Sequence, residues 1–461
     1  MSDVSTLSAL ELSRLYKSKA LSPVEVIDCQ LNRLASLNPK YNAFYFIDHD
    51  GAREAAKKSE QRWLNGEPNS AFDGIPTSVK DALLSRGQTS YRGSIANNSD
   101  ELDWKEDCPL VARQNEAGMI SLGKTTMPDF GILASGYSSQ HGITRNPWNG
   151  SATTGGSSSG TAAAICAGLN PVAAGTDIVG SIRLPASYTG LFGLKPSQGR
   201  VPYYPSNADT LVAGPMSRSV SDSAAYLNIL SRPDHRDARS LAWQNVDYSK
   251  HLQTARPSLR LGLLLDIGFG SSPDPETIRA VSAAAQQLED LGHRIIPIQS
   301  PFTSGDEDCA ELYYQQRCYH EFKQYPEALR KQSPYIDQFT QHCEDISAVD
   351  LFDATMAMRK LGVQTLEMCS AVDYLLLPST PRPAFAAELP ADDCNKLFDP
   401  WCNNFLFNIS EQPAASINCG YNEMGLPIGL QIVGPRFDDV GVLQLAKQYE
   451  NIRPQQRPFP I

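Results

Sequence analysis

Two loops dense in glycine and serine hold the residues best suited to chemistry. The first reads Gly155-Gly156-Ser157-Ser158-Ser159-Gly160. The second reads Gly175-Thr176-Asp177-Ile178-Val179-Gly180-Ser181-Ile182-Arg183-Leu184-Pro185. Ser157 and Ser181 lie 24 positions apart, and an alanine-rich segment of helical composition, 161–168, runs between them. Glycines let backbone N–H groups come close to a ligand, and serines supply hydroxyls. That combination suits a nucleophile beside an oxyanion hole. A phosphate-cradling loop is the competing chemistry, but Thr161 follows Gly160 where the phosphate-loop lysine would stand. A tight loop around a small-residue helix, with no chemistry at all, is a third reading of either loop alone.

Further motifs occur in order along almost the whole chain. Upstream stands Gly74-Ile75-Pro76-Thr77-Ser78-Val79-Lys80-Asp81, followed by Gly123-Lys124-Thr125-Thr126-Met127-Pro128-Asp129-Phe130 and Arg145-Asn146-Pro147-Trp148-Asn149. Downstream come Gly193-Leu194-Lys195-Pro196-Ser197-Gln198-Gly199-Arg200, Gly214-Pro215-Met216-Ser217-Arg218, Gln412-Pro413-Ala414-Ala415 and Gly425-Leu426-Pro427-Ile428-Gly429. Together they resemble the amidase signature family of Ser-Ser-Lys hydrolases. The resemblance implies Ser181 as nucleophile, Ser157 as a bridging serine after a cis peptide bond, and Lys80 as the terminal base. It also implies an oxyanion hole from the backbone N–H groups of Ile178, Val179, Gly180 and Ser181. Thr176 and Ser158 would support the loop and the lysine, and Asp177 and Arg183 would hold the turn as a structural pair.

Lys80 must be neutral to take a proton, so its site must lower the ordinary lysine pKa of about 10.4 by desolvation. Three positions depart from the family pattern. Val179 stands where glycine or alanine is usual, and its β-branched side chain would stiffen the turn and narrow the acyl pocket. Ser159 replaces a frequent glycine. Glu411 replaces another, either as a carboxylate near the site or as a surface residue, and acidic side chains are mostly exposed.

Composition excludes several other classes. The chain has 461 residues, 41% hydrophobic and 20% charged, which is the composition of a globular protein with ample core. A net charge of −11 without a Lys/Arg-rich run argues against a nucleic-acid partner. The N-terminus, Met1-Ser2-Asp3-Val4-Ser5, is acidic and no secretory signal. No apolar run approaches the ~18 residues of a membrane span. The ten cysteines form no Cys-x-x-Cys pair and read as reduced thiols of a cytoplasmic protein. The seven histidines show no metal-site spacing, and His141 reads as structural or solvent-facing. Gly268-Phe269-Gly270 lacks the third glycine of a dinucleotide fingerprint. No metal or organic cofactor is expected.

The elements around these motifs form an α/β pattern: one large domain, with a mixed twisted β-sheet core between helix layers as the resemblance implies. Residues 1–70 read as a helical arm, with a capping box at Ser8 and a Ser22-Pro23 helix start ended by Asn38-Pro39. A strand at 43–47 and a helix at 52–64 follow. Residues 71–232 hold the catalytic motifs, and 233–410 form a variable, substrate-shaping region. Within that region, 259–301 has a β-α-β pattern, 307–369 is helical, and 374–378 is a strand buried on both faces. Residues 411–461 return to the sheet and end in a helix at 440–449.

The function expected is hydrolysis of a small-molecule amide through an acyl-serine intermediate, with a homodimer left open. The glutaminase component of a tRNA amidotransferase shares these motifs, although segments 81–93 and 137–142 look more like free-standing amidases. A non-catalytic protein that kept the fold is the remaining class, and intact Lys80, Ser157 and Ser181 argue against it.

Overall fold

The helical arm is set by its caps. The computed structural model describes residues 4–97, 105–254 and 256–461; Met1, Ser2 and Asp3, on which part of the signal-peptide reading falls, lie outside them. Helix α1 (Ala9–Lys17) begins at Ser8, whose side chain and that of Glu11 cap each other's backbone N–H. Helix α2 (Pro23–Tyr41) begins with the same reciprocal arrangement between Ser22 and Glu25. Pro39 does not end α2, contrary to the expectation: it stands two residues before the last, so it removes one donor bond to the preceding turn without interrupting the short stretch that follows. Asn38 closes the helix instead: its carbonyl accepts the Asn42 N–H at 2.7 Å, and its side chain accepts the N–H groups of Ala43 and Phe44 at 2.9 and 2.8 Å. Helix α3 (His49–Asn65) ends at Gly66 in the left-handed conformation.

An eleven-stranded mixed sheet forms the core. Its strands in chain order are β1 (Phe44–Ile47), β2 (Pro76–Lys80), β3 (Ile120–Thr125), β4 (Val172–Asp177), β5 (Phe192–Lys195) and β6 (Val212–Ser217), then β7 (Arg260–Leu263), β8 (Arg294–Pro297), β9 (Tyr374–Pro378), β10 (Ala414–Tyr421) and β11 (Pro427–Val433). The spatial order is β1-β3-β2-β4-β6-β5-β10-β11-β9-β7-β8. The central strands β2, β4, β5, β6 and β9 are buried along their whole length, as strands covered on both faces must be. Residues 233–410 are thus not only pocket-shaping; they supply β7, β8 and β9 to the same sheet, while the C-terminal strands β10 and β11 join the two halves.

Four helices matter for the site and its surroundings. Helix α4 (Ser159–Cys166) is made of small residues apart from Ile165, all buried, and α5 (Arg183–Thr189) starts directly after the second serine loop. Helices α6 (Ser304–Phe322) and α7 (Ala348–Cys369) pack against each other in the region expected to be helical. Among the described residues no helix is long and apolar enough to cross a membrane.

Candidate active site

Two parallel neighbours in the sheet bring the distant motifs together. Strands β2 and β4 run side by side, with Val79 paired to Ala174. Lys80 ends β2 and Asp177 ends β4, so both leave the sheet at the same carboxyl edge. The first serine loop arrives there as the lead-in to α4, with Ser158 at its N-cap. Gly175 leaves room for this approach, since a Cβ there would lie 2.7 Å from Ser158 Oγ.

Lys80 is fully buried. Its Nζ donates to Ser157 Oγ at 2.8 Å, Ser158 Oγ at 3.0 Å and Thr176 Oγ1 at 2.8 Å. Three hydroxyls therefore meet the three donors of an ammonium. Burial pushes the Lys80 ammonium down to about 7; the Asp177 carboxylate opposes that shift and the Arg92 guanidinium adds to it. The Gly156–Ser157 peptide bond is cis. Ser157 and Ser181 line one narrow slot together with Thr176, Ile178, Met127 and Phe130. Its volume is about 20 Å³, room for one water-sized group. Arg92, Tyr203, Asn207 and Leu211 also line the slot, and the same four residues line a vestibule of about 800 Å³ outside it.

The turn that carries Ser181 is built on Asp177. Gly180 N–H donates to Asp177 Oδ1 at 2.7 Å and Ile182 N–H to Oδ2 at 3.1 Å. Arg183 forks onto the same carboxylate at 2.9 and 3.1 Å, and both residues are buried. Burial opposes ionisation of Asp177, but the Arg183 guanidinium and the Asn408 amide hold its carboxyl down to about 2. Gly180 has φ +134°, and a Cβ on it would sit 2.7 Å from Asn404 Cβ. A side chain there has neither the backbone conformation nor the space.

Two expectations change at this turn. The Gly180 N–H was expected in the oxyanion hole; it is engaged by Asp177 inside the turn. Val179 was expected to narrow the acyl pocket. Its side chain is buried in a hydrophobic cluster with Trp401 and Phe405, and it is Ile178 that lines the slot. The turn alternates the two side chains, which sequence spacing alone did not orient. Thr176, expected only as loop support, touches Lys80 directly. Ser159 is buried at the start of α4. Glu411 is partly exposed and paired with Arg436, in keeping with the surface reading.

Several residues at the site carried no sequence signal. Asn408 donates to the Asp177 carboxylate and carbonyl at 2.9 and 3.1 Å, and Trp401 Nε1 donates to the Gly156 carbonyl at 3.4 Å. Both come from beyond position 400, far from either serine loop. Arg92 lies in the segment that differs from the core motifs. Its carbonyl accepts the Phe130 N–H at 2.7 Å, and its guanidinium meets Glu321 of α6 at 2.6 Å and covers the Phe130 ring. Asp81 anchors that segment by accepting the N–H groups of Tyr91 and Gly93 and the Tyr45 hydroxyl, at 2.9, 2.7 and 2.7 Å. His141 stacks on Tyr45 with ring centres 4.3 Å apart, so it is structural as expected.

The sheet order and the lysine-to-serine contact define an amidase-type hydrolase fold, and comparison with known proteins agrees. The model of the Amidase family matches residues 25–443, and the chain belongs to that family. It is 31% identical over 485 residues to the A-subunit of glutamyl-tRNA(Gln) amidotransferase from Myxococcus xanthus, covering 96% of each chain. It is 32% identical to the protein of the same name from Psychrobacter, covering 98% of this chain and 97% of that one. A bacterial aryl acylamidase of the amidase signature family superimposes with a TM-score of 0.88 at 27% identity, covering 97% of this chain and 96% of that one. A 6-aminohexanoate cyclic dimer hydrolase does so at 0.87 and 26%, covering 100% of each chain. The protein is therefore an amidase signature enzyme, of a family of hydrolases that act on carbon–nitrogen bonds.

Proposed function

We propose that the protein hydrolyses a small-molecule amide through an acyl-Ser181 intermediate. The observation that supports this most is the buried, pKa-lowered Lys80 bonded at 2.8 Å to Ser157, in a slot that Ser181 also lines. In the neutral form, Lys80 Nζ accepts the Ser157 proton as Ser157 Oγ takes the proton of Ser181. Ser181 Oγ then attacks the amide carbon, and the carbonyl π electrons move to oxygen. The N–H groups of Ile178, Val179 and Ser181 stabilise that oxyanion, with Gly180 left to the turn. Collapse of the tetrahedral adduct breaks the C–N bond. The proton returns from Lys80 through Ser157 to the amine, which leaves neutral. Water then enters and gives a proton to the same relay as its oxygen bonds to the acyl carbon; the ester bond to Ser181 Oγ breaks, the acid leaves, and Lys80 returns the proton through Ser157 to Ser181.

The slot admits only the reacting group, and the wall that this group meets is partly apolar. Met127, Phe130, Ile178 and Leu211 form its apolar wall, and Arg92 is its one charged lining residue among the described residues. A second reading has its own support, because the curated relatives at 31–32% identity are named as amidotransferase components. The test is a hydrolysis screen of aliphatic, aryl and peptide-like amides against glutamine, with and without the other amidotransferase components. Turnover of a neutral amide by the isolated chain supports the proposal. Glutamine turnover that appears only with those components added overturns it in favour of the second reading. Failure to react with a fluorophosphonate would mean a binding protein that kept the fold.

A further inference from the structure

Helix α7 is apolar on two opposite faces. One face holds Ala354, Met358, Leu361 and Thr365, all buried against α6 and the short helix Leu406–Ile409. The other holds Val349, Phe352, Met356 and Val363, which are 68%, 64%, 44% and 55% exposed. Spacings of three, four and seven put these four on one stripe, at the a and d positions of a heptad, and the partly buried Leu366 continues it. Four large apolar side chains share this stripe with Arg359, exposing on the order of a few hundred Å² of apolar surface, the size of the largest patch on a typical monomer and often a functional one. The helix is independently well formed, with a reciprocal Ser347–Asp350 cap, so the stripe is not a frayed end.

The order of residues along the stripe identifies what covers it. Val349 and Val363 each lie seven positions from Met356. Asp353 and Lys360, both exposed and seven residues apart, share one edge of the stripe, the acid toward the N-terminus and the base toward the C-terminus. An isologous contact requires a patch that complements itself when reversed. Turned antiparallel about an axis beside Met356, a second α7 brings Val349 to the partner's Val363 and Met356 to the partner's Met356. The same rotation sets Asp353 beside the partner's Lys360, and the symmetry repeats that pair on the other side of the axis. Arg359, exposed at the stripe position between Met356 and Val363, adds a second base close to the partner's Asp353. We propose that α7 is a self-association surface, on which a second copy of this chain packs α7 against α7, antiparallel. The apolar patch falls below the roughly 800 Å² a side of a standard stable interface, so the dimer is concentration-dependent, with a Kd of about 1–100 µM.

Sedimentation velocity from about 1 to about 200 µM tests this, with circular dichroism melts to verify folding. The wild type should pass from monomer to dimer across that range. Met356→Glu should stay monomeric throughout while keeping the wild-type melting curve and fluorophosphonate labelling rate, since α7 lines neither the slot nor the vestibule. Asp353→Lys should weaken the dimer at least tenfold, and the double change Asp353→Lys, Lys360→Asp should restore it. Met356→Cys should give a disulfide-linked dimer under mild oxidation, in excess over the wild type with its native cysteines. A monomer at all concentrations overturns the proposal. So does a dimer that Met356→Glu leaves intact, or a charge-swapped double variant no better than the single one. A monomeric wild type that floats with anionic phospholipid vesicles through this stripe would show a membrane surface as the occupant, and also overturns it.

Discussion

Inactivation by a fluorophosphonate, followed from about pH 5 to about pH 10, reads the state of Lys80 without requiring a known substrate. An ordinary lysine with a pKa of about 10.4 is neutral at pH 7 in roughly one molecule in 2,500. Burial brings Lys80 to about 7, where about half the molecules carry the neutral base. The gain is on the order of a thousandfold in competent enzyme, equivalent to roughly 4–5 kcal/mol of preference for the neutral form. The accepting form exists above the pKa, so the inactivation rate must rise with pH through about 7 and then level off. Lys195, also buried, is pushed to about 7 by the same desolvation, with Arg183 adding to it. The wild-type profile alone therefore does not assign the ionisation. Lys80→Met and Lys195→Met are compared with it: the first should be slow and flat across the range, the second should keep the rise. A rate independent of pH, a rise centred above pH 9, or a rise that survives in Lys80→Met would refute the base assignment.

Three further outcomes follow from the same geometry. Ser181→Ala should lose both hydrolysis and covalent labelling with a melting temperature close to wild type, and labelling of the folded variant would remove Ser181 as nucleophile. Ile178→Ala should change the preference between short and branched acyl amides by about 1–3 kcal/mol, whereas Val179→Ala should leave that ratio alone and cost about 1–3 kcal/mol of stability. Competition assays paired with denaturant unfolding separate the two, and the opposite pattern would reverse the orientation of the turn. Asp177→Asn leaves Arg183 buried without its counter-ion and should cost about 3–5 kcal/mol in denaturant unfolding. A loss below about 1 kcal/mol would mean that Asn408 and Gln431 hold the guanidinium unaided.

What the sequence determined was local or resided in residue type. Ser8 with Glu11 and Ser22 with Glu25 announced helix starts because a cap needs only four consecutive residues. The β-α-β pattern of 259–301 was legible because side-chain periodicity reports burial, and β7 and β8 pair in parallel as that pattern requires. Lys80, Ser157 and Ser181 could be named because their chemistry and their flanking glycines are written in short motifs. Tertiary structure decided everything that depends on who meets whom. The end of α2 passed Pro39 because Asn38 bonds to the strand that follows. The Lys80 pKa fell because β2 and β4 close around the side chain, and desolvation is a property of the surroundings and not of a motif. Asn408 and Trp401 arrived at the serine loops from more than 200 residues away through the sheet order. Ile178, for which no side-chain role was expected, lines the slot in place of Val179, because a turn's alternation of side chains has no phase until the elements on both sides are packed.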